Sequence, residues 1–452
     1  MFIAWLTPSK RARRAATLIL AACLLASCGT AIPPVEETAQ EGIAPDRIPI
    51  VLVPGVSREV GAQLRGGTLI PMSALALRTD AETLANLGDP RFSAAWGRPL
   101  ETPAQLDRAL RRSGVRGLQG LIDYLVREEG YVRGNPDRPV DKDYPENPEA
   151  ARTDRTRMAS LFVVYYDWRR DLADSACVLA HRLARIRAWT GRDRVLLVGH
   201  SLGGVLARYV ARYGGRDAVR DRDCPLGEGG LREAVNAPGG AGIDRMVTLG
   251  APHRGTPQAF RALMQDFNLF GFVSVGLRDA VFTMPLAWQL LPFAEADGRV
   301  PILLGPTGRE RVPLFEPRTW IERGWITGNG DEPEQRRFAE TMLTRTTALH
   351  RSLSERSSAE DGVRRMAVGS GCRPTTALGL FENGKVEFLS RGQTDHPLYA
   401  QVTVPGDGVV SLESALGLPP APTLTSVSVC SSHSGYVDDS TVRERIATFL
   451  LR

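Results

Sequence analysis

The sequence predicts an α/β fold in which helices cover both faces of a largely parallel sheet. Short apolar runs rich in β-branched residues alternate along the chain with segments whose apolar residues recur at helical spacings. This alternation is typical of strand–helix–strand units, which build parallel sheets. The chain has 452 residues and is 43% hydrophobic, so it can bury a sizeable core.

The chain up to residue 249 contains four predicted strands and two predicted helices. The strands are short aliphatic runs at residues 48–53, 161–166, 194–198 and 246–249. The first helix places one apolar face on Leu172, Leu179, Leu183 and Ile186. The second places a longer apolar face on Leu202, Val205, Leu206, Tyr209, Val210 and Tyr213.

The second half adds three strands and a closing helix. We expect the strands at residues 365–368, 401–404 and 424–430. The helix is expected at 442–451, and its candidate N-terminal caps are Asp438, Asp439 and Ser440.

Two stretches interrupt the alternation. Residues 57–157 are loop-rich, with a possible helix at 118–126, and residues 256–361 carry apolar clusters and helical segments. A structureless loop of about 100 residues is implausible inside a compact domain. We therefore expect both stretches to be insertions that cap the edge of the sheet.

The N-terminal residues have the pattern of an export signal. Basic residues precede a 12-residue apolar run, which is shorter than the roughly 20 residues that span a bilayer. The run ends in Leu25-Ala26-Ser27-Cys28, which resembles the bacterial lipobox. The resemblance implies a signal peptide at 1–27, a lipidated Cys28 and a tether at 28–46. An ordinary cleaved signal with an incidental cysteine is the alternative.

The net charge of +5 would by itself favour an anionic partner such as nucleic acid. Residues 1–27, however, hold four basic residues and no acidic ones, which leaves 52 basic and 51 acidic residues after cleavage. We therefore expect no nucleic-acid partner. The expected location is the bacterial cell envelope, at the outer membrane or the periplasmic face, with the protein held by its N-terminal lipid.

Four cysteines remain after the signal and Cys28: Cys177, Cys224, Cys372 and Cys430. In an oxidising compartment they allow three pairings. Pairing of sequence neighbours favours Cys177–Cys224 and Cys372–Cys430, and buried free thiols are the alternative. The cysteines lack the C-x-x-C spacing of zinc sites, so we expect no metal.

Gly199-His200-Ser201-Leu202-Gly203 matches the pattern G-x-S-x-G. The match lies between a predicted strand and a predicted helix, which is the context that this nucleophile-bearing turn requires. The flanking glycines permit a tight turn that exposes the Ser201 hydroxyl. A glycine-rich turn with no reaction is the alternative.

A serine hydroxyl needs a base to accept its proton. His433 follows the last predicted strand, and the chain order serine, acid, histidine is that of α/β-hydrolases. His396 and His253 are the alternatives to His433. The acid should lie on a loop between Ser201 and His433, where Asp407 occupies a glycine-flanked turn and Asp395 is the alternative. An Asp407 that serves only as a turn residue is also possible.

An acyl-transfer site also needs hydrogen-bond donors for the oxyanion. We expect one from the backbone N–H of Leu202, directly after the nucleophile. The other is expected from Val56, in the loop after the first strand.

Five motifs occur in one order along the chain: Val51-Leu52-Val53-Pro54-Gly55, Tyr166-Asp167-Trp168-Arg169, Gly199-His200-Ser201-Leu202-Gly203-Gly204, Leu249-Gly250-Ala251-Pro252 and Gly406-Asp407-Gly408-Val409-Val410. Together with His433 they resemble the lecithin:cholesterol acyltransferase family of α/β-hydrolases. The resemblance implies Ser201 as nucleophile, Asp407 as acid and His433 as base, with Val56 and Leu202 as oxyanion donors.

The chain departs from the family pattern at two places. Tyr165 stands where the family often has Pro, and His253-Arg254 stands where a Trp is common. The second departure lies at the start of the family's lid. The resemblance further implies that the aromatic stretch 260–293 belongs to this lid and cap, although a buried cap helix is the alternative.

The expected function is that of a lipid-anchored hydrolase or O-acyltransferase, acting on acyl esters, most simply glycerophospholipids, without cofactor or metal. Water as acceptor would make it a phospholipase, and an alcohol would make it an acyltransferase. The alternatives are an esterase or lipase on smaller or neutral esters, and a non-catalytic lipoprotein that kept the fold.

Overall fold

The computed structural model describes residues 47–56, 62–63, 69–70, 118–134, 159–166, 168–237, 242–265, 267–269, 273–275, 277–326 and 333–452. Its strands are β1 (Ile50–Val53), β2 (Ala62–Gln63), β3 (Leu69–Ile70), β4 (Arg133–Gly134), β5 (Leu161–Val163), β6 (Val195–His200), β7 (Ile243–Leu249), β8 (Phe267–Leu269), β9 (Val273–Val275), β10 (Val300–Gly305), β11 (Gly308–Val312), β12 (Arg364–Ser370), β13 (Arg373–Thr376), β14 (Gly379–Glu382), β15 (Lys385–Glu387), β16 (Thr403–Gly406) and β17 (Leu424–Val429).

Its helices are α1 (Gln119–Arg127), α2 (Leu172–Thr190), α3 (Leu202–Tyr213), α4 (Gly230–Asn236), α5 (Pro257–Met264), α6 (Leu277–Phe282), α7 (Pro285–Gln289), α8 (Pro317–Glu322), α9 (Pro333–Ser354), α10 (Ser358–Asp361), α11 (Tyr399–Val402), α12 (Leu412–Leu416) and α13 (Ser440–Leu451). Among the described residues, no helix combines the length and the apolar character needed to cross a membrane.

The central sheet has seven strands in the order β17-β12-β7-β6-β1-β5-β4, and every neighbouring pair is parallel. Along β1, Val51 and Val53 pack on one face with α2 and α3, whereas Ile50 and Leu52 pack on the other with α1 and α13. Alternate residues of a strand point to opposite faces, so both faces of β1 are buried. The predicted α/β-hydrolase fold class, with its mostly parallel sheet, is confirmed.

Residues 118–134 belong to the sheet layer rather than to a cap. Leu121 and Leu125 of α1 are fully buried in the same apolar cluster as β1 and α13, and β4 is the edge strand beside β5. The amphipathic pattern of α1 therefore faces the sheet. Apart from residues 118–134, the described part of the predicted insertion 57–157 is the short strand pair β2–β3.

The second predicted insertion, 256–361, forms a separate apolar core around Phe260, Trp288 and Trp320, whose rings pack edge-to-face or tilted against each other. A four-stranded sheet, ordered β11-β10-β14-β15, accompanies this core. The parallel pairing of β10 with β14 joins the insertion to residues beyond 361, so the predicted end of the cap is too early. We call this unit, which consists of the residues from α5 to α9 together with β14 and β15, the cap.

Two predicted strands differ from the structure. The expected strand at 401–404 is divided, because Gln401 and Val402 end helix α11 and only Thr403 and Val404 are extended. This strand, β16, also lies outside the central sheet and pairs antiparallel with β13. The run at 161–166 leaves the sheet after Val163, although Tyr165 and Tyr166 remain buried.

The cysteine pairs favoured from sequence are bonded in the structure, Cys177 to Cys224 and Cys372 to Cys430. The first joins α2 to the loop after α3. The second joins the segment after β12 to the segment after β17, at the carboxyl ends of two neighbouring strands. Cys28 lies outside the described residues.

Candidate active site

Ser201 lies in a sharp turn between β6 and α3. Its backbone has φ 54° and ψ −127°, a conformation that non-glycine residues rarely adopt. Ser201 N–H donates to the Leu249 carbonyl of the neighbouring strand at 2.8 Å, which holds the turn against β7. The strained turn separates the nucleophile candidate from the regular strand and helix, as the G-x-S-x-G pattern predicts.

The end of β1 approaches this turn so closely that only glycines fit. A methyl group on Gly203 would lie 2.1 Å from the Val53 carbonyl oxygen, and one on Gly55 would lie 2.6 Å from Cβ of Ser201. Both distances are far below van der Waals contact. The Pro54-Gly55 segment is therefore packed directly against Ser201.

The structure brings the three predicted triad residues together. The Ser201 hydroxyl oxygen is 2.9 Å from Nε2 of His433, and Nδ1 of His433 is 2.8 Å from Oδ2 of Asp407. Both distances are those of hydrogen bonds, in the order nucleophile, base and acid. The spacing is right for His433 to accept the Ser201 proton while Asp407 stabilises the imidazolium that forms.

Asp407 is fully buried in the turn after β16. Burial by itself would raise the pKa of this carboxyl, but the hydrogen bond and charge of His433 and the backbone N–H groups of Val410 and Val409 hold that pKa below its ordinary value. Both N–H groups donate to Oδ1 at 2.8 Å. Asp407 is therefore ionised at neutral pH despite its burial.

The loop that carries His433 is fastened at several points. The His433 backbone N–H donates to the Asp407 carbonyl at 3.0 Å, and the His433 carbonyl accepts from Nε2 of His200 at 2.6 Å. Upstream, Ser431 N–H donates to the Ser370 hydroxyl, and Cys430 is bonded to Cys372. The imidazole of His433 thus has little freedom to turn away from Ser201.

The alternatives to Asp407 and His433 lie elsewhere. His253 is buried and its Nε2 lies 3.0 Å from the Thr248 hydroxyl, and burial, with the charges of Arg208 and Arg365, lowers its pKa well below the usual range. His396 Nδ1 accepts from the Leu398 backbone in a surface loop. Asp395, beside it, is exposed.

The predicted oxyanion donors flank the nucleophile. Leu202 is the first residue of α3, so its N–H has no acceptor within the helix and lies at the positive end of the helix dipole. Val56 follows Gly55, the residue packed against Ser201, and is half exposed. Tyr166 supports this loop by donating its hydroxyl hydrogen to the Pro54 carbonyl at 3.0 Å. The oxyanion role of Val56 and Leu202 stays a prediction.

Two residues near the site were missed by sequence reasoning, namely His200 and Tyr436. His200 lies inside the turn motif, where the sequence gives it no role of its own, and Tyr436 has no signal beyond its position three residues after His433. The Tyr436 hydroxyl donates to Oδ2 of Asp407 at 2.9 Å. In the described part of the chain, no group of three His, Cys, Asp or Glu side chains is arranged to hold a metal ion.

Residues 154–289 match the family model for lecithin:cholesterol acyltransferase. The predicted resemblance to this family is confirmed. The matched segment contains the Ser201 turn and the Leu249–Pro252 motif, and it ends in α7 of the cap. Asp407 and His433 lie beyond it. A search of curated protein sequences finds no significant match.

Solved structures resemble this chain at low identity. A chain of the Tle4–Tli4 complex matches with a TM-score of 0.52 and 13% identity, covering 89% of this chain and 99% of that one. The lin2722 product of Listeria innocua matches with a TM-score of 0.34 and 11% identity, covering 90% of this chain and 95% of that one. Lipase BlEst2 of Bacillus licheniformis matches with a TM-score of 0.30 and 15% identity, covering 70% of this chain and 87% of that one. The family match and the fold support a lipid acyl hydrolase or acyltransferase of the α/β-hydrolase type.

Proposed function

We propose that the protein cleaves acyl esters of glycerophospholipids through an acyl-enzyme on Ser201. The observation that carries the proposal is the chain of two hydrogen bonds from Ser201 through His433 to Asp407. The choice of phospholipid is supported by the family match and by the lipid anchor expected at Cys28.

In the first half-reaction, Oγ of Ser201 attacks the ester carbonyl carbon while its proton passes to Nε2 of His433. The carbonyl oxygen becomes an oxyanion, which the N–H groups of Leu202 and Val56 stabilise. When the tetrahedral intermediate collapses, the ester C–O bond breaks and the His433 proton passes to the departing alcohol oxygen. The acyl group is then an ester of Ser201.

The second half-reaction runs through the same groups. His433 takes a proton from water or from an acceptor alcohol, whose oxygen attacks the acyl carbon and displaces Ser201. The proton on His433 returns to Ser201. Water yields a fatty acid, and an alcohol yields a new ester.

Labelling with a fluorophosphonate tests the nucleophile. Intact-mass analysis should show one adduct on the wild-type protein and none on Ser201→Ala, since the probe phosphonylates an activated serine. Adduct formation on a folded Ser201→Ala variant would overturn the assignment.

Product analysis tests the substrate. Vesicles of phosphatidylethanolamine and phosphatidylglycerol should be consumed faster than a short soluble ester such as p-nitrophenyl butyrate at equal ester concentration. Mass spectrometry of the acyl products, with and without an added alcohol, identifies the acceptor. Turnover of the soluble ester alone would replace the phospholipase proposal with a small-ester esterase.

We further propose that the protein is held at the cell envelope by lipid on Cys28. Membrane fractions should contain the wild-type protein, whereas Cys28→Ser should be released into the soluble fraction. A wild-type protein whose N-terminal peptide lacks added acyl mass would overturn this anchor.

A further inference from the structure

Tyr436 is one of the largest fully buried side chains of the protein. It lies three residues after His433, in the loop between β17 and α13. Its hydroxyl oxygen is 2.9 Å from Oδ2 of Asp407, the same oxygen that is 2.8 Å from Nδ1 of His433. The acid of the site is therefore held by a second side chain in addition to the base.

The hydrogen bonds to Asp407 occupy both carboxylate oxygens. Oδ1 accepts from the backbone N–H groups of Val409 and Val410, and Oδ2 accepts from His433 and Tyr436. A carboxylate offers about four acceptor positions, so the set is complete. Among the described residues, His433 is the sole ion-pair partner of Asp407, and no Arg or Lys neutralises it.

The end of β7 leaves space for this contact. Gly250 has φ 54°, and a methyl group on it would lie 2.6 Å from Cε2 of Tyr436 and 2.8 Å from Oδ2 of Asp407. The glycine of the Leu249–Pro252 motif therefore admits the Tyr436 ring and the carboxylate together. Three separate chain segments thus fit together around one hydrogen bond.

We propose that Tyr436 is a positioning residue of the triad, whose hydroxyl holds Oδ2 of Asp407 in line with Nδ1 of His433. The inference deepens the proposed function and rests on it. Without the hydroxyl, Oδ2 would keep one donor instead of two in a buried site, and the carboxylate could turn about its Oδ1 contacts. Tyr436 would act through Asp407, to which its hydroxyl donates.

Tyr436 keeps its proton under all ordinary conditions. Burial, and then the charge of Asp407, raise its pKa, while a backbone hydrogen bond at Ser370 acts in the opposite direction. The titratable and charged groups around the pair are His433, the neutral ring of His200 and the Arg391 guanidinium, which donates to the Gly408 carbonyl. Tyr436 is therefore a permanent donor to the Asp407 carboxylate.

Tyr436→Phe tests the proposal, because it removes the hydroxyl and keeps the ring. We expect kcat of Tyr436→Phe to fall about 10- to 100-fold, the equivalent of losing one hydrogen bond to a charged group. KM should change by less than about twofold, since the Tyr436 side chain is fully buried. Tyr209→Phe is the matched control: that ring is equally buried, and its hydroxyl bonds to Arg216 and Ala218, away from the site.

The pH profile separates positioning from general damage. The Tyr436 hydroxyl stabilises the anion, so its loss should let the Asp407–His433 pair take up a proton at higher pH. The acid limb of kcat/KM should then move upward in Tyr436→Phe and stay in place in Tyr209→Phe. A loss of activity with an unmoved acid limb would overturn the proposal.

A double-mutant cycle with Asp407→Asn tests whether Tyr436 acts through Asp407. In the Asp407→Asn background the added loss from Tyr436→Phe should fall below about threefold. An undiminished loss, or full activity of Tyr436→Phe, would overturn the proposal. The low-field NMR signal of the His433 Nδ1 proton should also shift in Tyr436→Phe, a readout that does not require turnover. Fluorophosphonate labelling of wild type but not Ser201→Ala shows separately that the proposed nucleophile stands.

Discussion

The ring of His200 and the backbone carbonyl of His433 are joined by a hydrogen bond of 2.6 Å. His200 directly precedes Ser201, so the segment that carries the proposed nucleophile also fastens the loop that carries His433, which we call the base loop. Burial, and then the charge of His433, lower the pKa of His200 to about 4. At neutral pH the ring is uncharged, and its Nε2–H donates to the carbonyl.

Replacing His200 should therefore impair catalysis through the base loop. His200→Leu removes the donor, and we expect kcat to fall about fivefold to tenfold, the equivalent of one hydrogen bond. His200→Gln keeps an N–H donor and should retain more activity than His200→Leu. His396→Ala is the control, since the His396 ring accepts from the backbone of Leu398, two residues away. Equal rates for the Leu and Gln variants would contradict this role.

Asp407→Asn should remove most of the activity. The amide is close in shape but cannot stabilise the His433 cation, and we expect kcat to fall by roughly 10⁴-fold. Asp395→Asn, at the exposed alternative, should leave kcat unchanged. Steady-state turnover of an ester measures both variants. The reverse pattern would move the acid to Asp395.

The two disulfides should differ in what their loss does to activity. The loops they close span 47 and 58 residues, so each pair of Cys→Ser changes should lower the free energy of unfolding by a similar amount, about 2–4 kcal/mol. Only Cys372–Cys430 borders the base loop. The Cys372→Ser, Cys430→Ser protein should lose kcat at temperatures where it is still folded, while the Cys177→Ser, Cys224→Ser protein keeps it. Thermal unfolding and turnover, measured on the same samples, test this distinction. Equal kcat losses in the two double variants would refute it.

The stability of the protein should fall between about pH 6.5 and pH 4. His350 is buried, its ring stacks on Phe293 and its Nε2 lies 2.9 Å from the Gln289 carbonyl. Burial lowers its pKa to about 4, so the unfolded chain binds a proton in this range that the folded chain does not. The contribution of His350 to stability is complete above its unfolded pKa near 6.5 and is lost as the pH falls through about 4. Within this range, each such histidine lowers the free energy of unfolding by up to roughly 1.4 kcal/mol per pH unit.

Urea unfolding at several pH values measures this dependence. His350→Gln should flatten the curve in this range, leaving the contributions of the other buried histidines, His200 and His253. A slope unchanged from wild type would show that His350 does not titrate as its burial implies.

The turn at Ser201 could be predicted from sequence because its determinants are local. The glycines, the apolar strand before it and the amphipathic helix after it all lie within about 20 residues. Asp407 and His433 could be named because the chain order of the triad restricts the choice. Their catalytic roles stay predictions until the variants are made.

The strand before Asp407 shows where sequence reasoning fails. Three of the four residues at 401–404 are β-branched, yet the first half of this run ends α11, because tertiary contacts override local propensity in so short a segment. The contact of Tyr436 with Asp407 joins residues 29 positions apart and depends on the space left by Gly250. No pattern along the chain encodes such a contact.

The pairing of β10 with β14 has a consequence for protein engineering. β10 lies inside the cap insertion, but β14 follows β12 of the central sheet. β14 begins at Gly379, 74 positions after β10 ends at Gly305. The cap is thus assembled from two separate stretches, with a core strand between them. A chimera that exchanges only residues 256–361 with a relative would split a hydrogen-bonded sheet between two parents, so a transplantable cassette has to extend through β15.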